Sequence, residues 1–383
     1  MRFSKVNPEF DISQRASSFV RGPAIMATIG PTLEKPGDLS RAIEAGAGWF
    51  RLPCGYRQRP HVENARQVRA VAARLGAAVQ LLLDLPSSRP RTGSMPELEL
   101  SVGDEVLFWD SDLLADAPTQ NGYLPVPLPG LAELREKLCP RQRMWFCDGR
   151  LSFVVDEVRT DSVVAHLVQG SAPLKSSNSL FLPDSPSAFA AITPADRRLL
   201  VAFASAGLAP DWVALSLIAT PEDVRDGRRE VHEVLGNQVR IMAKIETVAA
   251  VERTDEILAV AEGLMVARGD LALAVGYRRL PEVQDRLVDA ARRAGKMVVV
   301  ATQVLEVFAE TGLPQRAELS DLSLIARQGA DAVMLGKETV FSPRPIECIR
   351  LAREVLSYET DRFVRSREPH RFAPAPGCAL ASK

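Results

Sequence analysis

Residues 239–270, VRIMAKIETVAAVERTDEILAVAEGLMVARGD, decide the fold. Two apolar runs, VRIMAKIE (239–246) and GLMVARGD (263–270), stand on either side of VAAVERTDEILAVA (248–261), whose apolar residues recur at helical spacing. Neither apolar run alternates cleanly with polar residues, which is typical of a parallel strand that is buried on both faces. The stretch therefore predicts a strand–helix–strand unit of a parallel sheet.

The same unit recurs along the 383-residue chain. Eight apolar runs alternate with amphipathic segments, which favours a closed (β/α)8 or TIM barrel of the α/β class over an open doubly wound sheet. The Thr-Pro pairs at 193–194 and 220–221 predict helix starts. The predicted strands cover residues 24–30, 48–53, 79–85, 212–218, 239–246, 263–270, 297–303 and 332–338.

The alternation is interrupted once, after the third strand. Residues 87–186 are rich in Pro and Ser and contain short alternating runs and turn signals, which indicates a small all-β domain. Its position after a barrel strand predicts a lid over the C-terminal mouth of the barrel. We therefore expect a catalytic barrel at 1–86 and 187–360, an inserted β-rich lid domain at 87–186 and a flexible tail at 361–383.

The composition excludes several classes of protein. A net charge of −1 leaves no overall basic field for nucleic acid. Five scattered cysteines, without CxxC or Cys/His metal spacing, indicate reduced thiols in a cytoplasm. No apolar run approaches the roughly 18 residues of a membrane span. We therefore expect a cytoplasmic protein that binds neither nucleic acid nor membranes.

Polar side chains lie at the ends of seven predicted strands, and the active sites of such barrels lie at the C-terminal strand ends. Lys244 and Glu246 stand two positions apart, so their side chains point the same way from the strand. That spacing fits a structural ion pair or two arms of one site, and the other polar ends favour the site. The candidates are Arg51, Asp84, Ser216, Lys244, Glu246, Arg268, Asp270, Thr302, Gln303, Lys337 and Glu338.

The chemistry of these side chains indicates a cation and an anion held together. Glu246 and Asp270, on adjacent strands with no histidine nearby, suit Mg²⁺ or Mn²⁺, with water and substrate oxygens as the remaining ligands. Lys244 and Arg51 add positive charge that fits a transferred phosphoryl group. Gly269 allows backbone N–H groups to approach an anion. This set predicts a small phosphorylated acid held on a divalent ion.

Several motifs, in this order, give the chain a resemblance to a known family. AKIET (243–247), LMVARGDLAL (264–273), VVVATQVLE (298–306), PQRAELSD (314–321) and GADAVMLGKET (329–339) resemble pyruvate kinase. ATIGPT (27–32), RTG (91–93) and CDG (147–149) are similar to it as well. The resemblance covers roughly residues 22 to 358, and it is more specific between 239 and 339 than before that range.

The resemblance implies a role for each matching position. Lys244 would neutralise the phosphoryl group in flight between phosphoenolpyruvate and a nucleotide, and Arg51 would contact that group. Glu246 and Asp270 would bind the divalent metal, Mg²⁺ or Mn²⁺. The further implied roles are substrate binding by Ser216, Ala267, Arg268, Gly269, Asp270 and Thr302, and nucleotide binding by Arg91 and Asp148.

The sequence departs from the family pattern around the potassium and nucleotide sites. The family's Arg-Leu-Asn-Phe-Ser-His-Gly reads RLPCGYR at 51–57, so two potassium ligands become Pro53 and Gly55. The glutamate two residues before Arg91 becomes Arg89, where potassium-independent members carry a lysine. We hypothesise that Arg89 replaces the monovalent cation, with Asp84 as its partner, and that K⁺ is not required.

Three classes of function stay open. The first is pyruvate kinase, which transfers the phosphoryl group to ADP. The second uses the metal and enolate site on a different acceptor or a related carboxylic acid, and altered nucleotide-site positions such as Asn178 favour it. The third is an inactive paralogue that binds phosphoenolpyruvate or pyruvate. Because the sequence ends soon after the eighth barrel unit, we expect no C-terminal regulatory domain, no allosteric control of the usual kind, and a homodimer through barrel helices.

Overall fold

The computed structural model describes residues 22–55, 60–87, 89–114, 116, 122–135, 138–147, 149–170, 172–183 and 190–367. Its strands, in chain order, are β1 (Ala24–Thr28), β2 (Ala47–Pro53), β3 (Gln80–Leu85), β4 (Glu105–Trp109), β5 (Leu124–Pro127), β6 (Arg143–Phe146), β7 (Leu151–Val158), β8 (Ser162–Gly170), β9 (Trp212–Leu215), β10 (Arg240–Ile245), β11 (Gly263–Ala267), β12 (Met297–Ala301) and β13 (Ala332–Leu335).

Eight of these strands close into a parallel barrel in the order β1-β13-β12-β11-β10-β9-β3-β2. The ring closes where β1 pairs with β13, with Ala24 opposite Ala332. The predicted TIM barrel is confirmed. The strands end earlier than several apolar runs suggested, so most of the polar strand-end residues lie in the first positions of the following loops or helices.

The helices fill the connections between the strands. The Thr-Pro pairs begin two of them, and in each the threonine and the aspartate three residues later form a capping box, with Asp196 and Asp223 as partners. The helices are α1 (Pro36–Glu44), α2 (His61–Leu75), α3 (Leu131–Leu134), α4 (Pro194–Ser205), α5 (Pro221–Leu235), α6 (Val248–Glu252), α7 (Thr254–Val260), α8 (Arg268–Val275), α9 (Leu280–Arg293), α10 (Glu306–Thr311), α11 (Arg316–Gln328), α12 (Lys337–Val340) and α13 (Pro345–Arg367).

The C-terminal helix α13 continues to Arg367, past the boundary at residue 360 that the sequence suggested for a tail. Residues 368–383 lie outside the described part of the chain. None of the helices in the described ranges combines the length and the apolarity that crossing a bilayer requires.

Side chains alternate between two hydrophobic clusters along each barrel strand. In β10, Ile241, Ala243 and Ile245 pack outward with the helices, whereas Met242 joins the cluster inside the barrel. Successive residues of a strand point to opposite faces, so the residue two positions beyond an interior side chain also points inward. This rule brings five polar side chains to the top of the barrel interior: Thr28, Arg51, Asp84, Ser216 and Lys244.

The second sheet, in the order β5-β4-β8-β7-β6, is inserted between barrel strands β3 and β9. It has its own core, in which Phe108 stacks on Phe146 and both meet the edge of Phe153. The insert contacts the barrel at α8, where a Cβ added to Gly149 would stand 2.8 Å from Leu273. The domain bounds at residues 87 and 186 stay predictions.

Candidate active site

A cleft of about 490 Å³ opens at the C-terminal ends of the barrel strands. Its walls come from the barrel, from the segments that join the barrel to the second sheet, and from the turn between β6 and β7 of that sheet. The cleft therefore lies where barrel active sites are found. Of the predicted site residues, the structure gathers here Arg51, Asp84, Arg89, Arg91, Ser216, Lys244, Glu246, Gly269, Asp270, Thr302, Gln303 and Lys337.

Lys244 is the centre of the charged network. Its Nζ atom lies 3.0 Å from Glu246 Oε1 and 3.2 Å from Asp84 Oδ1, and it donates to Ser216 Oγ at 2.7 Å. Ser216 in turn donates to the carbonyl oxygen of Leu85 at 2.7 Å. Lys244 and Glu246 therefore form an ion pair and also face the same cleft, so the two interpretations of their spacing are not exclusive. The pair belongs to a larger network rather than to an isolated strand end.

Asp84 joins the two basic groups. Its Oδ2 accepts from Arg51 Nε at 2.7 Å, and the same guanidinium donates to Thr28 Oγ at 3.3 Å. Burial acts to raise the pKa of Asp84, but the charges of Lys244 and Arg51 outweigh it and hold the pKa below its ordinary value. Asp84 is therefore an ionised and nearly inaccessible carboxylate, with only 4% of its surface exposed.

The same logic applies to the ammonium group. Burial acts to lower the pKa of Lys244, but the charges of Asp84 and Glu246 raise it above its ordinary value. Lys244 therefore stays charged throughout the neutral range. A permanently charged donor at the floor of a cleft is suited to bind an anion and stabilise developing negative charge.

Glu246 and Asp270 form a pair of carboxylates with different surroundings. Glu246 is 2% exposed, and its Oε2 accepts from the backbone N–H of Leu217 at 2.7 Å. Burial raises the pKa of Glu246, and the nearby charge of Asp270 adds to that rise against the charge of Lys244. Each of the two carboxyl groups acts on the pKa of the other, so the two lie close together. Like charges at such proximity cost free energy unless a proton or a cation lies between them.

This donor set fits a hard divalent cation. Two carboxylates from adjacent strands supply oxygen ligands, and the cleft leaves the other positions to water or substrate, as Mg²⁺ prefers. Within the described residues, no group of three or more His, Cys, Asp or Glu side chains is arranged to hold a metal. The residues therefore suit an open site that shares its metal with a ligand, rather than a closed protein cage.

The loop after β12 has an unusual backbone. Thr302 and Gln303 have φ values of +70° and +53°, in the left-handed region that residues other than glycine rarely adopt. The Thr302 hydroxyl accepts from the backbone N–H of Gly269 at 3.2 Å, at the start of α8. This contact joins a hydroxyl donor and the first backbone amides of a helix on one side of the cleft, where a carboxylate of a ligand can be bound.

Comparison with known proteins identifies the family. A family model described as pyruvate kinase, barrel domain, matches residues 20–349. The chain belongs to the pyruvate kinase family. The resemblance predicted from the sequence is thereby confirmed, and so is the expected class of enzyme, a pyruvate kinase-like phosphotransferase.

Individual pyruvate kinases are similar over most of the chain. That of Methylorubrum extorquens is 33% identical over 341 residues, which cover 88% of this chain and 69% of the relative. That of Agrobacterium vitis is 31% identical over 355 residues, covering 92% and 70%. That of Thermococcus litoralis is 31% identical over 334 residues, covering 86% and 68%.

The pairing predicted for Arg89 in this pyruvate kinase family member is wrong. Its Nη1 lies 2.8 Å from Asp270 Oδ1, and its guanidinium stands over the ring of Phe181 at 5.9 Å. Both oxygens of Asp84 instead face Arg51 and Lys244. Burial acts to raise the pKa of Asp270, but the charge of Arg89 outweighs it and the pKa lies below its ordinary value.

Three predicted positions, Ala267, Arg268 and Glu338, do not line the cleft. Ala267 ends β11, and the Arg268 side chain points away into the protein, where it binds both carboxylate oxygens of Asp321 at 2.8 and 2.7 Å. Arg268 also donates to the carbonyl oxygens of Thr302 and Gln303. The Arg268 guanidinium is thus a support of the loop after β12, because its donors are used by protein acceptors and only 8% of the side chain is exposed.

The nucleotide-side predictions are only partly described. Arg91 lines the cleft, and its Nη1 donates to the carbonyl oxygen of Ser177 at 3.0 Å. Asp148 lies outside the described residues. Several wall residues escaped the strand-end reasoning, among them Thr28, and Arg150 of the insert. Thr28 could have been found from the predicted strand AIMATIG (24–30), in which it follows the interior Met26 by two positions.

Proposed function

We propose that this protein transfers a phosphoryl group between phosphoenolpyruvate and a nucleoside diphosphate, with ADP as the expected acceptor, to give pyruvate and ATP. The observation that carries the proposal is the position of Lys244, whose charged Nζ atom lies beside two carboxylates at the floor of the cleft. The names of the relatives support the same reaction.

Charge balance supports a metal and a polyanionic substrate. Three basic side chains, Arg51, Arg89 and Lys244, are paired with three acidic ones, Asp84, Glu246 and Asp270. Buried charges require such compensation, so the network is balanced before any ligand enters. A divalent cation adds positive charge, and an anion that combines a phosphate with a carboxylate restores the balance.

Each part of the network has a proposed task. Glu246 and Asp270 would hold Mg²⁺ or Mn²⁺, which when bound supplies Lewis-acid polarisation of the phosphoryl oxygens. Lys244 neutralises the phosphoryl group during transfer and the enolate oxygen that remains, and Arg51 binds the phosphoryl oxygens. Ser216 orients the Lys244 ammonium through their 2.7 Å hydrogen bond.

The carboxylate of the substrate has a separate proposed site. The backbone N–H groups around Gly269 and Asp270 lie at the start of α8, and Thr302 can donate its hydroxyl to the same ligand. Backbone amides of a first helical turn are directed at an anion and need no further charge. Binding the carboxylate there leaves the phosphoryl group toward Lys244.

We also propose that the reaction does not require K⁺. Both carboxylate oxygens of Asp84 are already paired, with Arg51 at 2.7 Å and Lys244 at 3.2 Å, and the residue is buried. The expected family ligands at 53 and 55 are Pro and Gly, which offer no side-chain oxygen. A monovalent cation would thus have to displace an existing ion pair.

A second candidate uses the same metal and enolate chemistry with an acceptor other than ADP. It is favoured by Asn178, whose side-chain oxygen accepts from the backbone N–H of Lys175 at 2.7 Å, inside the insert. Arg91 is likewise engaged with the carbonyl oxygen of Ser177.

We propose that the second sheet acts as a lid that carries Asn178 and Arg91. We also propose that the protein acts in the cytoplasm, as a homodimer formed through the barrel helices.

The test is an acceptor screen. The protein is incubated with phosphoenolpyruvate, Mg²⁺ or Mn²⁺ and a panel of nucleoside diphosphates, and pyruvate and phosphorus signals are followed by NMR. Pyruvate that appears together with ATP supports the first candidate. Enolate exchange or pyruvate without nucleotide turnover supports the second. If phosphoenolpyruvate binds but neither reaction occurs, both proposals fail and an inactive binding protein remains.

A further inference from the structure

Glu338 is a strand-end carboxylate that the proposed chemistry does not use. It is completely buried and does not line the cleft. Its Oε1 accepts from the backbone N–H groups of Val304 at 3.0 Å and Leu305 at 3.1 Å, and its Oε2 accepts from that of Gly336 at 2.7 Å. One carboxylate from the end of the eighth barrel strand therefore binds the loop that follows the seventh.

The amides that Glu338 binds come directly after the two left-handed residues. Thr302 and Gln303 have φ values of +70° and +53°. Residues other than glycine keep such values only where the surrounding structure holds the backbone in that conformation. The carbonyl oxygens of the same two residues accept from Arg268 on the other side. The strained dipeptide is thus held from both ends, by Arg268 through its carbonyls and by Glu338 through the amides that follow.

We propose that Glu338 is a positioning residue for the substrate carboxylate. By holding Val304 and Leu305, it maintains the left-handed conformation that places the Thr302 hydroxyl beside the Gly269 N–H, at 3.2 Å. Glu338 itself touches no ligand. The inference rests on the proposed function, because it takes Thr302 to be a donor to the carboxylate of phosphoenolpyruvate.

A purely structural role is the alternative, and the chain contains a matched control for it. Glu318 binds three backbone N–H groups in the same way, those of Val307 at 2.7 Å, Phe308 at 3.2 Å and Gln315 at 2.8 Å. It supports the next helix and not the strained dipeptide. Glu318→Gln and Glu338→Gln therefore make the same chemical change, and only the second reaches the loop that carries Thr302.

The experiment measures phosphoenolpyruvate binding by calorimetry with Mg²⁺ and no acceptor, and urea unfolding in parallel. Glu338→Gln is expected to weaken binding about tenfold, the equivalent of one hydrogen bond to a charged group, whereas Glu318→Gln stays within about twofold. In turnover, KM for phosphoenolpyruvate should rise more than kcat falls. Equal binding by Glu338→Gln and the wild type, or equal weakening by the two glutamine variants, would overturn the inference.

Three more variants separate this inference from the proposed function. If Thr302→Ala binds phosphoenolpyruvate as tightly as the wild type, Thr302 does not bind the substrate carboxylate. The role proposed for Glu338 then fails as well, because it depends on Thr302. If Thr302→Ala weakens binding and Glu338→Gln does not, only the inference about Glu338 fails. Glu338→Asp retains the charge with a shorter reach, and the same comparison applies to it should the glutamine variant not fold. The double variant Glu338→Gln/Thr302→Ala should bind phosphoenolpyruvate no more weakly than Thr302→Ala alone.

Discussion

Arg89 is paired with a carboxylate to which we assign the divalent cation. The Arg89 guanidinium lies 2.8 Å from Asp270 Oδ1, the oxygen donor that the proposed metal site requires. The two side chains are 11% and 26% exposed, so the ion pair is shielded from water on most sides. A metal ion that binds Asp270 must therefore displace this guanidinium or bind beside a like charge. We predict that Arg89→Gln binds Mn²⁺ more tightly than the wild type.

The expected magnitude follows from the burial of the pair. Exposed ion pairs contribute about 0–1 kcal/mol, and hydrogen bonds to charged groups about 1.5–3 kcal/mol. A pair that is largely shielded but open at one side should lie near the junction of these ranges, at about 1.5 kcal/mol. Because every 1.4 kcal/mol is a factor of ten, the Kd for Mn²⁺ should fall about tenfold in the variant.

The assay is direct titration of Mn²⁺, read from the paramagnetic resonance signal of the free ion at constant ionic strength and without substrate. Lys337→Gln is the matched control. It also removes one positive charge from the cleft lining, but the Lys337 side chain is 62% exposed and its ammonium pairs with Glu306 at 3.7 Å. The control should change the Kd by less than about twofold, because exposed charges are screened. If Arg89→Gln binds Mn²⁺ equally or more weakly, Arg89 supports the metal site instead of competing for it.

Three other predictions follow from the network around Lys244. Lys244→Ala should lower the rate of phosphoryl transfer at least about 10³-fold while unfolding stays cooperative, and a variant that kept most of its rate in a pyruvate assay would exclude the assigned role. Replacing Na⁺ by K⁺ at constant ionic strength should change the wild-type rate by less than about twofold, because Asp84 is already paired; a steep rise with K⁺ would refute the proposed independence. The pKa of Asp84 is lower in the folded than in the unfolded protein, so its ionised form adds stability above the ordinary value of 3.8, and this stability is lost as the pH falls through the lower folded value. The wild type should therefore have an unfolding free energy about 3 kcal/mol above that of Asp84→Asn at pH 6. This difference should shrink between pH 5 and pH 3 in urea titrations.

The barrel could be predicted because its signal is local and repeated. Each strand is a short apolar run without clean alternation, and each is followed by a segment of helical spacing, so one unit seen at 239–270 predicts the next. The alternation of inward and outward side chains also carries Lys244 to the barrel interior, two residues beyond Met242. The same rule would have added Thr28 to the predicted site.

The partners of the charged groups could not be predicted in this way. Arg89 was expected to pair with Asp84, which precedes it by five residues. It pairs instead with Asp270, which is 181 residues away in the chain. Arg268 was expected to face the substrate and instead binds Asp321 and the loop after β12. Both outcomes depend on the direction in which a long side chain leaves a loop or helix start, and the residue type alone does not determine that direction.

The sequence by itself determined the closed parallel barrel, the strand ends that carry oxygen and nitrogen ligands, and the family to which the chain belongs. These properties depend on periodicity, burial and residue type, which are readable within a few residues of each position. Only the tertiary structure decided that Lys244 joins Asp84 and Glu246, that Arg89 occupies Asp270, and that Glu338 holds the strained loop at Thr302. All of these contacts except the Lys244–Glu246 pair join residues of separate barrel units. Such residues come within about 3 Å of each other only once the ring has closed, so the tertiary structure determines which of them pair.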